Sequence, residues 1–218
     1  MDMTRMLRLA GIAGFVALIT AGCLQKDTTE TWYVGATGDV HWVVTEKDVR
    51  SDANTVDARL EEESGYWLAV QQQRHPVAMG LQELGGLKAR TLVLRGESPF
   101  TVQTDARFTG LDELGRRLLA SIGAIGTSLV TRDGPVSTWT LTVRDPSAES
   151  SVSEPSEGVS ALMNDLDKLK VVLIAGRFDA ADGFDLSGDR RVATLKVIEE
   201  TTHEQTEQAA ITLRLVWK

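Results

Sequence analysis

The stretch TWYVGATGDVHWVVT, residues 31–45, sets the fold class of the whole chain. Two runs rich in aromatic and β-branched residues flank Gly35-Ala36-Thr37-Gly38, a composition that turns a chain back on itself. In the second run Val40, Trp42 and Val44 fall on one side, with Asp39, His41 and Thr45 on the other. Side chains alternate across a strand, so one face of this hairpin is buried and the other is wet.

The same pattern recurs downstream. Residues 87–95 and 100–109 form a second hairpin around Gly96-Glu97-Ser98-Pro99, with Val102, Thr104, Ala106 and Phe108 inward. A third joins 124–131 to 136–144 through Asp133-Gly134. Helical patterns lie between them. Residues 57–74 read as a helix with Val56, Leu60, Trp67 and Val70 at or near helical spacing on its inner side. A short helix after His75-Pro76 turns Val77, Leu81 and Leu84 inward and stops at Gly85-Gly86. From 111 to 122, Leu111, Leu114, Leu118 and Ile122 make one stripe, with Thr109 and Asp112 as its capping pair.

Residues 145–157 are rich in Ser, Glu and Pro and predict a flexible loop. A fourth amphipathic helix carries Val159, Leu162, Met163, Leu166 and Leu169. Strand patterns then return at 171–175, 193–197 and 211–217. The expected fold class is therefore α+β: an antiparallel meander of about nine strands built from hairpins, with helices inserted between them on one face. Residues 31–218 form one domain on this reading.

The chain has 218 residues, 42% hydrophobic and 25% charged, with a net charge of -8. That balance suits one ordinary domain and argues against nucleic acid as a partner, since phosphate needs a basic face. The N-terminus follows another logic. Arg5 and Arg8 precede sixteen uncharged, mostly apolar residues, 9–24. A helix of that length reaches about 24 Å, short of a bilayer core of roughly 30 Å, so the segment reads as a signal peptide and not a span.

Thr20-Ala21-Gly22-Cys23 closes that segment and resembles the cleavage motif of bacterial lipoproteins, with Thr20 where Leu is usual. The resemblance implies a signal peptide over 1–22, cleavage between Gly22 and Cys23, and lipidation of Cys23, the only cysteine in the chain. It implies a membrane partner through that anchor, a tether over 23–30, and placement in the envelope facing the periplasm. Leu24 beside the anchor favours the outer membrane in a cell that has one.

Candidate chemistry is sparse. His41, His75 and His203 stand in separate elements, and His203-Glu204 lacks the second histidine of a zinc-protease helix. Asp179, Asp182, Asp185 and Asp189 crowd a presumed loop and raise calcium, though not with EF-hand spacing. Glu61-Glu62-Glu63 diverge around a helix. No Gly-x-Ser-x-Gly elbow lies beyond residue 22, and no phosphate loop is present. Neither catalytic residues, a cofactor nor a metal site is expected. The favoured function is a non-catalytic accessory or binding protein of the envelope. The alternatives are a carrier or sensor of a hydrophobic ligand, held in a cavity under the Trp-rich sheet, and an unrecognised hydrolase.

Overall fold

The computed structural model describes residues 24–144, 156–163, 169–196 and 211–218. Residues 1–22, Cys23 and 145–155 lie outside it, as does the polar segment around His203. In chain order the elements are β1 (Leu24–Val34), β2 (Val40–Ser51), α1 (Val56–Gln71), α2 (Pro76–Glu83), β3 (Leu87–Arg95), β4 (Phe100–Phe108) and α3 (Leu111–Ser121). There follow β5 (Ile125–Asp133), β6 (Val136–Arg144), α4 (Glu157–Met163), β7 (Lys170–Leu173), β8 (Phe178–Asp182), β9 (Phe184–Leu186), β10 (Val192–Leu195) and β11 (Ile211–Trp217).

All three hairpins form, with Val40, Trp42, Val44, Val102, Thr104, Ala106 and Phe108 buried. The α+β class holds, but the single meander does not. The described strands make two sheets, one ordered β3-β4-β2-β1-β7-β10-β9 and the other β5-β6-β11-β8. In the larger sheet β7 lies parallel to β1, with Trp32 opposite Val171 and Val34 opposite Leu173. Hairpins are local and readable. A parallel pair needs a long crossover, and nothing in the strand's own residues says where it inserts.

The expected tether is also strand. Leu24 already pairs with Ser51, and Thr28 with Glu46. Polar residues at inward positions hid it: Thr28 and Glu30 are buried on the same face as Trp32 and Val34. Residues 179–189 likewise form β8, β9 and a turn where a loop was expected.

The helices depart from the sequence reading in two places. In α1 the buried residues are Tyr66 and Val70, while Val56 and Leu60 face outward. The cap of α3 is Gly110, with no side-chain hydrogen bond, so Thr109 and Asp112 do not act as a capping pair. Nor do all the helices share one sheet. The α2 helix lies on β3 and β4 and α1 on β2, whereas α3 packs chiefly on β5 of the smaller sheet. Where α2 crosses α4, Gly80 meets the backbone of Gly158 so closely that neither position has room for a Cβ.

The main core fills the space between the sheets. Trp32 of the larger sheet meets Trp42 edge-on at 5.3 Å and Trp139 of the smaller sheet at 6.1 Å. Val34, Val40, Phe108, Leu114, Leu215 and Trp217 complete the same cluster. Trp139 Nε1 donates to Ser128 Oγ at 2.9 Å, and that hydroxyl donates to the Leu111 carbonyl at 3.2 Å, tying β6 through β5 to α3.

Candidate functional site

The inner face of the larger sheet changes character along its length. Running down β2, Val40, Trp42 and Val44 point into the core, and the next inward residue is Glu46. Its side chain is 1% exposed. An unpaired carboxylate at that depth costs several kcal/mol, so partners are obligatory.

Three groups supply them. His75 Nε2 donates to Glu46 Oε2 at 2.9 Å, Tyr66 Oη donates to the same oxygen at 3.4 Å, and Lys26 Nζ pairs with Oε1. Each comes from a different element. Lys26 stands on β1, beside a register shift between Gln25 and Asp27. Tyr66 lies on the inner side of α1, and His75 is the N-cap of α2, held extended ahead of Pro76. The Tyr66 ring meets the imidazole edge-on at 5.3 Å and stacks on Phe100 at 6.0 Å.

These contacts set the ionisation. Burial pushes the Glu46 carboxyl up, but the hydrogen bond and charge of His75, joined by Lys26, outweigh it and hold the group below its ordinary value of 4.5. Tyr66 moves the other way: burial first, then the Glu46 charge and hydrogen bond, raise its phenol far above the usual 10.0. Both groups thus keep one form throughout the neutral range.

A cleft of about 330 Å³ opens over this cluster, lined by Leu24, Lys26, Tyr66, His75, Pro76, Val77, Ser160 and Ala161. His75 is 2% exposed, and its Nδ1 finds no hydrogen-bond partner among the described residues. The cleft therefore combines apolar walls with a fixed imidazole and an ammonium, the usual make-up of a small-molecule site. It is not the tryptophan-walled cavity expected beneath the sheet, where Trp32, Trp42 and Trp139 pack on one another.

The other candidates disperse. His41 bonds Asp105 at 2.9 Å on the outer face, where Arg90 reaches the same carboxylate at 3.1 Å. Asp179 pairs with Lys218, Asp182 with Arg214 and Asp185 with Lys196, while Asp189 accepts from Ser187. Two on β8, one on β9 and one in the following turn, each with its own partner, these acids do not converge as calcium ligands must. Among the described residues no group of three or more His, Cys, Asp or Glu is placed to hold a metal. Nor is any described helix long and apolar enough to cross a membrane.

Sequence reasoning named His75 only to set it aside, and it missed Glu46, Tyr66 and Lys26 as a group. One signal was available: Glu46 continues the inward alternation of Val40, Trp42 and Val44. A carboxylate in a buried register demands partners.

The molecule is thus an α+β domain of two sheets with a polar-floored cleft at one end of the larger. No family model matches the chain, and no curated protein matches it. A solved structure that resembles it is the folded domain of LppM from Mycobacterium tuberculosis, determined by NMR. The two are 10% identical over 88% of this chain and 89% of that one, with a TM-score of 0.35. A likeness so distant carries no argument about function.

Proposed function

We propose that this chain is a lipid-anchored protein of the bacterial envelope that binds a small ligand without transforming it. One observation carries the reading: Leu24, next in sequence to the lipidation candidate Cys23, is both the first residue of β1 and a wall of the cleft. Acylation at Cys23 would hold the cleft against the bilayer with no slack between them. Two or more acyl chains make such anchoring stable, at about 0.8 kcal/mol per buried CH₂.

Binding is favoured over catalysis by the ionisation of the floor. A general acid or base works best with a pKa near the operating pH. Here Glu46 is pushed below that range and Tyr66 above it. The carboxylate serves to fix the imidazole, whose ring forms part of the cleft lining. The ligand that fits has one polar group for the part-exposed Lys26 and a compact apolar body for Leu24, Pro76, Val77 and Ala161.

Two experiments test this. The intact mass of the mature protein should carry an acyl increment that Cys23→Ser abolishes. Native mass spectrometry of residues 24–218, purified from the periplasm without detergent, should show an adduct that is lost on denaturation. Its occupancy should fall in Lys26→Met. A bare protein mass would overturn ligand binding and leave the accessory role. The edge strand β3 favours that second reading, since it exposes Leu92, Val93 and Leu94 in succession.

A further inference from the structure

Of the α1 stripe that the sequence marks for burial, Val70 alone is fully buried. Val56 and Leu60 are 61% and 59% exposed, and Trp67, half-buried, falls on the same side. At about 100° per residue these three positions lie within roughly 40° of arc. The neighbouring flank of the helix packs inward through Tyr66 and Val70, the latter about 40° round from Val56. We infer that this stripe rests on the lipid bilayer beside the Cys23 anchor, an inference that depends on the lipoprotein reading above.

Position makes the case. Leu24 packs against the small core formed by Val49, Tyr66, Val70, Phe100 and Val102, which is the core that seats α1. Its strand partner Ser51 is held by α1 itself: the Ser51 backbone N–H donates to Glu63 Oε1 at 3.1 Å, and its hydroxyl bonds Glu62. The acyl chains of Cys23 would therefore leave the protein alongside α1. Once anchored, the domain meets the membrane at high effective concentration, so a modest apolar stripe suffices to orient it.

Trp67 suits the interface. One face of its ring stacks on Phe100 at 5.3 Å, and the residue stays partly exposed. Indole favours the water–lipid boundary. Charge narrows the choice of lipid. Asp57 and Glu61 flank the stripe on its outer side, so a zwitterionic surface fits and an anionic one repels.

Tryptophan fluorescence tests this on the full chain, expressed with its leader and reconstituted in phosphatidylcholine vesicles containing lipids brominated near the headgroup. Trp32, Trp42, Trp139 and Trp217 are at most 4% exposed, so contact quenching reports on Trp67. The lipidated protein should be quenched, and Trp67→Phe should remove most of the effect while keeping a ring to stack on Phe100. Leu60→Asp should reduce quenching at least twofold with the vesicle-bound fraction unchanged, and anionic lipid should lower it further. Should Leu60→Asp fail to fold, Trp67→Phe decides alone. A lipidated protein that is unquenched, or equally quenched without Trp67, overturns the docking and leaves the anchor standing. A mature chain without acyl mass removes the anchor and the docking together, a result the intact mass distinguishes.

Discussion

The two halves of one sheet face are built on opposite principles. Toward the β1–β2 turn, Trp32, Val34, Val40 and Trp42 are sealed against Phe108 and Trp139. Toward the other end, the same two strands turn Thr28, Glu30 and Glu46 inward, and a hydrogen bond of 3.0 Å between Thr91 and Thr104 carries the polar band onto β3 and β4. The first half is held by area and dispersion, which tolerate little loss of volume but need no partner geometry. The second is held where Glu46 meets Lys26, Tyr66 and His75, a network that fails as a unit when one member goes. A fold needs only the first kind. A polar half costs desolvation that an apolar filling would avoid, and it is the half on which the proposed ligand binding rests.

The largest expected loss lies in the apolar half. Trp42 is fully buried, 5.3 Å from Trp32 and 6.0 Å from Phe108. Trp42→Ala should cost about 4 kcal/mol in urea unfolding by leaving a cavity that two sheets cannot close. Ligand binding at the cleft should survive under conditions where the variant remains folded. Loss of both together would show that the halves are not separable.

In the polar half, Glu46→Ala should cost about 3 kcal/mol, because His75 loses its acceptor at 2.9 Å while still buried. The informative partner is the double variant Glu46→Leu with His75→Leu. It should recover most of that loss, since apolar groups of similar volume avoid the desolvation of the pair, while abolishing the adduct at the cleft. A double variant as unstable as Glu46→Ala would make the cluster a stability device and remove the contrast between the halves.

The contrast also explains what could be read in advance. Hairpins and the α3 stripe were legible because alternation and turn residues are local signals, complete within β1–β2, β3–β4 and β5–β6. Legibility failed where the polar half begins. The run from Gln25 to Glu30 lacks apolar residues, so it resembled a tether although it is paired throughout most of its length. It failed again in α1, where Val70 alone of the expected stripe is fully buried and Tyr66, outside that stripe, joins it on the inner side. The site itself gathers Lys26, Glu46, Tyr66 and His75 from separate elements, and no spacing announces a set that only tertiary packing assembles.

Acid should separate the halves more gently. Glu46 binds its proton less readily in the folded chain than its ordinary value of 4.5 implies. Between the folded and unfolded values the unfolded chain holds more protons, so stability there rises with pH. The contribution is complete above the unfolded value and is lost as pH falls through the folded one. Wild-type unfolding free energy should therefore fall more steeply below about pH 4.5 than that of Glu46→Gln, which cannot titrate. Parallel curves would show that other carboxylates set the acid limb.

The smallest effect tests whether the apolar half is as free of partner geometry as its packing suggests. The smaller sheet that seals it carries a buried polar relay, from Trp139 Nε1 to Ser128 Oγ at 2.9 Å and on to the Leu111 carbonyl at 3.2 Å. Ser128→Ala removes the hydroxyl and leaves the indole N–H without that acceptor, at a cost of about 1 kcal/mol. Trp32 and Trp42 give the internal control, for their Nε1 atoms are buried without a hydrogen-bond partner among the described residues. A core that already tolerates two such indoles should absorb a third with only that modest loss, read as a small fall in the urea midpoint at constant slope. A loss approaching that of Glu46→Ala would mean that the relay locks α3 onto β5, where Gly115 already lets the helix backbone close on Ser128. The apolar half would then depend on one hydrogen bond as the polar half depends on Glu46.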